Sequence, residues 1–168
     1  MLHCFIEGQD DETFFKHILL QSDEVDFYQF SQKTVMQVNR YLKTLKQIGD
    51  PYLFFADSDG NSPDIKKNKL TQKYSELDIG NVYVVQYEIE SWLLAGTNKE
   101  FGVRHKFKEY YRNTNLVTKE MFLTCTSMCV ETKLTLMLEM LSEYDYFLAT
   151  ERNDTFEKFF RFNQSLCR

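Results

Sequence analysis

Tyr52-Leu53-Phe54-Phe55-Ala56-Asp57-Ser58-Asp59-Gly60-Asn61 decides the fold class. Four large apolar residues and an alanine, set between Pro51 and an acidic turn, read as a buried β-strand. Just upstream, Val35, Val38, Tyr41, Leu42, Leu45 and Ile48 keep helical spacing until Gly49-Asp50-Pro51 breaks it. Val25 to Phe30 reads as another strand. Before it, Leu2 to Ile6 is a nearly continuous apolar strand ending at Glu7-Gly8. The helix after that strand shows its stripe in Phe14, Phe15, Ile18 and Leu19, with Asp11 or Thr13 as its cap. Downstream, a polar helix is expected over Asp64 to Leu77 and a fourth strand over Asn81 to Tyr87. Glu88-Ile89-Glu90 follows at once and leads through Ser91-Trp92-Leu93-Leu94 to a stop at Gly96. Strands alternating with helical patterns predict an α/β fold, a mostly parallel sheet with flanking helices.

From about Lys99 onward the pattern is helical. Phe101, Phe107, Tyr110 and Tyr111 predict one helix face, and Met121, Phe122, Cys125, Met128 and Cys129 a second. Leu134, Met137, Leu138 and Leu141 predict a third, and Phe156, Phe159 and Phe160 the last. The expectation is a single domain over 1–168, with an α/β core over 1–97 and a helical C-terminal extension over 98–168. An apolar content of 43% in 168 residues is enough to bury a core.

Composition narrows the function classes. A net charge of −5 argues against a general nucleic-acid coat protein. An enzyme acting on nucleic acid stays open, because clustered site carboxylates lower the total themselves. The apolar start before Glu7 is too short for a signal peptide, and no apolar run approaches the ~20 residues of a membrane span. A soluble, cytoplasmic chain with no membrane association is therefore expected. Cys4, Cys125, Cys129 and Cys167 show no framework spacing and read as reduced thiols. Cys125 and Cys129 stand four apart, but zinc needs two further ligands, and the sequence gives no reason for His105 or Cys4 to lie nearby. His3 and His17 read as structural.

Acidic residues end three of the expected strands: Glu7 the first, Asp57 and Asp59 the third, Glu88 and Glu90 the fourth. In a parallel sheet all strand C-termini lie on one edge, where ligands bind. Side chains two apart in extended backbone point the same way, so each pair is expected to face one ion together. Carboxylates gathered there repel unless a cation sits between them. All-oxygen ligation suits Mg²⁺ or Mn²⁺. A lone Asp-x-Asp is usually a solvated turn; three acidic strand ends in succession favour a site.

These residues carry a family resemblance. Phe5-Ile6-Glu7-Gly8 followed by Asp10-Asp11-Glu12-Thr13-Phe14-Phe15 resembles the opening of a Toprim domain, the metal-binding fold of topoisomerases, primases and related nucleases. Phe54-Phe55-Ala56-Asp57-Ser58-Asp59-Gly60 is similar to that family's Asp-x-Asp-Gly motif. Tyr87 to Gly96 resembles a motif of small stand-alone Toprim-like proteins and the acidic third motif of OLD-type nucleases. The resemblance covers roughly the first hundred residues. It implies phosphodiester cleavage or transfer on DNA or RNA at one or two divalent metals, and phage defence as a role. It makes Glu7 a metal ligand or general acid/base, Asp57 and Asp59 metal ligands, and Glu88 or Glu90 part of a second site. OLD-type enzymes add a lysine after the third motif, and Lys133 is the best-placed candidate. No Gly-x-x-x-x-Gly-Lys-Ser/Thr loop occurs, so an accompanying ATPase has to be a separate subunit. No tyrosine stands out as a topoisomerase nucleophile and no primase zinc module is present, which leaves the nuclease reading.

Two basic clusters flank the acids: Lys66, Lys67, Lys69 and Lys73, then Arg104, Lys106, Lys108 and Arg112. They are expected to guide a phosphate backbone, with Tyr110 and Tyr111 stacking on unpaired bases. The plainer reading is two solvated helix faces. Two other functions compete. One is a non-catalytic or ATPase-dependent binding subunit on the same fold. The other is a phospho-receiver domain built on Asp10 or Asp11, Asp57 and Lys133, which leaves Glu7, Asp59, Glu88 and Glu90 unexplained.

Overall fold

A computed structural model describes residues 1–19, 24–129 and 131–167, and its sheet is wholly parallel. The strands are β1 (Leu2–Ile6), β2 (Val25–Gln29), β3 (Tyr52–Asp57) and β4 (Val82–Val85), in the order β2-β1-β3-β4. From β1 the chain passes through α1 (Gln9–Ile18) to β2 on one side. It then returns through α2 (Val35–Ile48) to β3 on the other side, and α3 (Pro63–Lys73) leads to β4. The winding direction therefore reverses between β1 and β3. Loops leaving these two strands diverge, which opens a crevice at their C-terminal ends.

Alternation along the strands builds two cores. Cys4, Ile6, Leu53, Phe55 and Val85 face α1, where Phe14, Phe15 and Ile18 meet them. Phe5, Phe54, Ala56, Val82 and Val84 face α2 and α3, against Val38, Leu42, Leu45, Leu70 and Tyr74. Both faces are covered, which is why β1, β3 and β4 are apolar at nearly every position.

The rest of the chain is helical: α4 (Ile89–Ala95), α5 (Lys99–Arg104), α6 (Lys119–Cys125), α7 (Lys133–Ser142), α8 (Tyr146–Arg152) and α9 (Asp154–Asn163). These helices deepen the α1-side core instead of standing apart from it. Phe122, Met137, Phe156 and Phe159 belong to the same buried cluster as Phe15 and Phe55. Phe15 stacks on Phe55 with ring centroids 3.9 Å apart, and buried Trp92 stacks on Phe159 at 5.4 Å. Among the described residues, no helix is long and apolar enough to cross a membrane.

Several ends differ from the sequence reading. β4 stops at Val85, because Tyr87 takes a left-handed φ of +59°. α3 stops at Lys73, short of Leu77. α5 is closed after Arg104 by Lys106 at φ +58°, with the Phe107 N–H on the Gly102 carbonyl at 2.7 Å and the Lys106 N–H on that of Val103 at 3.2 Å. That is a Schellman closure with lysine at the glycine position. Phe107, Tyr110 and Tyr111 therefore lie beyond the helix, and Met128 and Cys129 likewise lie beyond α6. Apolar loop residues that pack back, such as Phe107 against Phe101 at 5.9 Å, imitate helical spacing.

Phe55→Ala empties the middle of the larger core. It is expected to cost about 3–5 kcal/mol in urea unfolding followed by circular dichroism; a loss below ~1 kcal/mol would contradict this packing.

Candidate metal centre

The crevice is built from four chain segments. Glu7 is the first residue past β1 and Asp57 the last of β3. The Glu7 carboxylate accepts the Asp57 N–H at 3.1 Å, tying the two strand ends together across the reversal. Gly8 begins the turn into α1, and the Asp11 carboxylate accepts the N–H groups of Glu7 and Gly8, both at 2.9 Å. Asp11 thus closes the helix start from inside the first turn, as the acid of a capping box whose N-cap glycine has no side chain to reciprocate.

The fourth segment is the turn between β4 and α4. Ser58 is fully buried and holds this turn against the β3 loop: its N–H donates to the Val85 carbonyl at 2.9 Å, and its Oγ accepts the Tyr87 N–H at 2.8 Å. These bonds stabilise Tyr87 in a backbone conformation that L-residues seldom adopt. Thr155 of α9 braces the turn from behind, its Oγ1 accepting both the Gln86 N–H at 3.2 Å and the Trp92 indole N–H at 2.8 Å. Glu88 then caps α4, and Glu90 lies in its first turn.

The result is a cleft of about 380 Å³ whose walls include Glu7, Asp10, Asp11, Asp57, Glu88 and Glu90, with Lys119 at one side. Most of these carboxylates have a partner. Lys133, the first residue of α7, places its Nζ 2.6 Å from Glu90, itself 2% exposed, and 2.5 Å from Asp10. Burial lowers the ammonium's pKa, but the two carboxylates outweigh it and raise the pKa overall. Glu88 accepts the Lys119 N–H at 2.8 Å. Burial pushes the Asp11 pKa up to about 6 despite its two N–H bonds. Burial also raises that of Glu7, opposed by Lys66 and the Asp57 N–H.

Asp57 is different. Among the described residues its carboxylate accepts no hydrogen bond and pairs with no cation. Burial first, then the charges of Asp11, Glu7, Glu88 and Glu90, push its pKa from 3.8 to about 9. A carboxyl this strongly resisted, open to an acid-lined cleft, has the surroundings that a divalent cation neutralises.

Of the residues singled out from the sequence, Glu7, Asp57, Glu88 and Glu90 meet in the cleft, and Lys133 reaches two of its walls. Glu88 and Glu90 arrive on a helix start, not on the extended backbone expected for them. Asp59 does not join Asp57. The strand ends at Asp57, and Asp59 turns away at φ +49°, exposed and paired with Lys66 at 2.5 Å. Its charge still reaches Glu7. Lys66 and Lys69 lie along that turn, Lys69 donating to Asn61 at 2.9 Å, while Lys67 lies over the Tyr83 ring. Arg104, Lys106 and Lys108 are exposed but none lines the cleft, and Arg104 pairs with Glu143 at 2.5 Å. Sequence reasoning overlooked Asp10, Asp11 and Lys119 as wall residues. The acid run Asp10-Asp11-Glu12 was the available signal for two of them; it entered only as part of the Toprim-like opening, as a helix cap and in the phospho-receiver alternative.

Stability should report the repulsion. A carboxyl whose pKa is raised by folding holds its proton more tightly in the folded state. Its contribution is therefore complete below about pH 4 and is lost as pH rises toward 9. Metal-free protein is expected to melt progressively lower across that range, and Mg²⁺ or Mn²⁺ should flatten the decline. Asp57→Asn is expected to flatten it without metal and to raise Tm near pH 8 by about 3–6 °C, roughly 1–2 kcal/mol. Melting curves showing wild type and variant with the same pH slope would contradict the assignment.

Among known proteins, no family model, no curated protein and no solved structure matches this chain, so its function is read from the geometry and chemistry of this cleft.

Proposed function

We propose that the chain is a Toprim-like, divalent-metal-dependent nuclease that uses the acidic cleft at the ends of β1, β3 and β4. One observation carries the reading: the Asp57 carboxylate, without a hydrogen-bond or ion-pair partner among the described residues and surrounded by Glu7, Asp11, Glu88 and Glu90. The donor set is all oxygen, which fits Mg²⁺ or Mn²⁺ and not a thiolate-seeking metal. Mg²⁺ commonly takes one or two carboxylates and fills its remaining positions with water and substrate phosphate. Asp57 with Glu7 or Glu88 suits that division, while Asp10 and Glu90 are occupied by Lys133. The cation would supply stabilisation of charge on the phosphoryl oxygens and a lowered pKa for an attacking water.

The chain's own groups have separate work. Glu7, half-buried and with its pKa raised by burial, suits proton transfer. Lys133 stays protonated beside the cleft, and its charge opposes the negative charge that develops on a phosphoryl group under attack. Lys119 on the cleft wall, with Lys66 and Lys69 along the neighbouring turn, offers positive charge to a DNA or RNA backbone. The order of the acidic motifs along the chain, as in Toprim and OLD-type proteins, supports the same reading. A separate ATPase subunit belongs to the rival reading, in which the chain cleaves only with that partner.

The test is cleavage of circular DNA, linear DNA and single-stranded RNA by the purified chain in Mg²⁺, Mn²⁺ or EDTA. Metal-dependent cleavage is expected, abolished by Asp57→Ala and reduced about 10²–10³-fold by Lys133→Ala. Asp59→Ala should cost less than tenfold, since Asp59 lies outside the cleft. A folded wild-type chain that cleaves nothing with either metal would sink the stand-alone nuclease and favour a binding or ATPase-dependent subunit.

A further inference from the structure

We propose that the face formed by α2 and α3 is a docking surface for duplex nucleic acid, which it holds by the phosphate backbone and not by the bases. The inference rests on the nuclease reading for the kind of ligand and adds the form of the substrate. The two helices carry seven lysines and arginines against one acid, Asp64, in a chain of net charge −5. Both pack on the same side of the sheet, α2 through Val38, Leu42 and Leu45 and α3 through Leu70. In chain order α2 follows β2 and α3 follows β3, so both start from the sheet edge that holds the acidic cleft and run away from it.

Six cations make the surface. Arg40, Lys43 and Lys46 stand exposed on α2. Lys66, Lys69 and Lys73 recur at spacings of three and four along one side of α3, over about 10 Å. That side looks toward β1 and α2, since the charges of Lys66 and Lys73 both reach Glu7, whereas Lys67 lies over Tyr83 of β4. The segment after α3 ties the helices together: the Glu76 N–H donates to the Asn39 side chain at 3.2 Å, and Asp78 pairs with Lys46 at 3.0 Å. Asp59 and Asp78 each occupy one lysine, Lys66 and Lys46. Arg40, Lys43, Lys69 and Lys73 form no ion pair among the described residues, and Glu76 is the acid left beside them.

Unpaired cations in two rows fit a polyanion, and the aromatic residues decide its form. Sites for single strands add exposed rings on which unpaired bases stack. Here Tyr74 is buried and Tyr41 gives its hydroxyl to Asp26. The exposed aromatic rings among the described residues, Tyr110, Phe147 and Phe162, all lie beyond α5. Tyr110, expected to stack on bases, instead faces the Arg152 guanidinium 4.5 Å from its ring centroid. The basic cluster around it is also diluted, with Glu109 inside it and Glu143 on Arg104. A duplex offers twice the phosphate charge per length of a single strand, which two rows of cations match.

The experiment measures fluorescence anisotropy with the full-length Asp57→Asn protein in EDTA, so that nothing is cleaved. The probes are duplex DNA, duplex RNA and single-stranded DNA of equal length, beside anionic lipid vesicles. Duplex is expected to bind at least about tenfold more tightly than single strand, and the tighter of the two duplexes names the nucleic acid. Added to that protein, Arg40→Glu/Lys43→Glu should weaken duplex binding by at least about tenfold at low salt, and Lys69→Ala/Lys73→Ala should reduce the salt slope by about 2. Lys158→Glu/Arg161→Glu makes the same charge change on α9, which packs on the other side of the sheet, and should stay within about twofold. These positions are all exposed, so the variants are expected to fold, with circular dichroism as the check. Unchanged duplex affinity in a folded Arg40→Glu/Lys43→Glu, single strand bound as tightly as duplex, or vesicles bound in preference to duplex would overturn the surface. The nuclease reading fails separately: a wild-type chain that binds duplex on this face and cleaves none loses the chemistry and keeps the surface.

Discussion

Mutual repulsion among the carboxylates at the ends of β1, β3 and β4 is the constraint around which this molecule is arranged. Six acids line one small cleft, and the fold compensates five of them with fixed partners. Lys133 is shared by Asp10 and Glu90, Asp11 takes the N–H groups of Glu7 and Gly8, Glu7 takes that of Asp57, and Glu88 takes that of Lys119. The carboxylate of Asp57 receives none of these. Natural chains accept such local destabilisation where a ligand removes it, and the ligand proposed here is a divalent cation.

The architecture explains why the compensation is so complete elsewhere. A parallel sheet that reverses its winding between β1 and β3 opens a crevice there without any special sequence. Holding acids in it requires rigid loops, and the chain supplies them from a distance. Ser58 joins the β3 loop to the β4 loop, and Thr155, about a hundred residues later, fastens the β4 loop and Trp92 to α9. The C-terminal helices are therefore part of the site's support. They also deliver Lys133, whose ammonium bonds Asp10 and Glu90, and Lys119 on the cleft wall.

Much of this was legible in the sequence, for a physical reason. Strands buried on both faces are apolar at most positions, so Leu2–Ile6 and Tyr52–Ala56 announce themselves, and the acids that close them, Glu7 just past β1 and Asp57 as the last residue of β3, stand out against them. What could not be read was local backbone direction. Tyr87 and Asp59 both adopt positive φ, a departure that no alternation pattern encodes. That sends Asp59 out to Lys66 and brings Glu88 and Glu90 in on a helix. Beyond Arg104 the helical periodicity misled for a related reason, since Phe107 and Tyr111 pack on the core from irregular backbone. Lys133 could be suspected from a motif, but its contact with Asp10 spans 123 residues and follows only from the fold.

The most direct test of the account is a crystal of the protein grown or soaked in Mn²⁺, with anomalous scattering measured to locate the ion. The account predicts a peak in the acidic cleft within ligand distance of Asp57 and of Glu7 or Glu88, with Lys133 still on Asp10 and Glu90. A cleft without a peak at saturating Mn²⁺, or a Mn²⁺ ion bound there without Asp57, would contradict it.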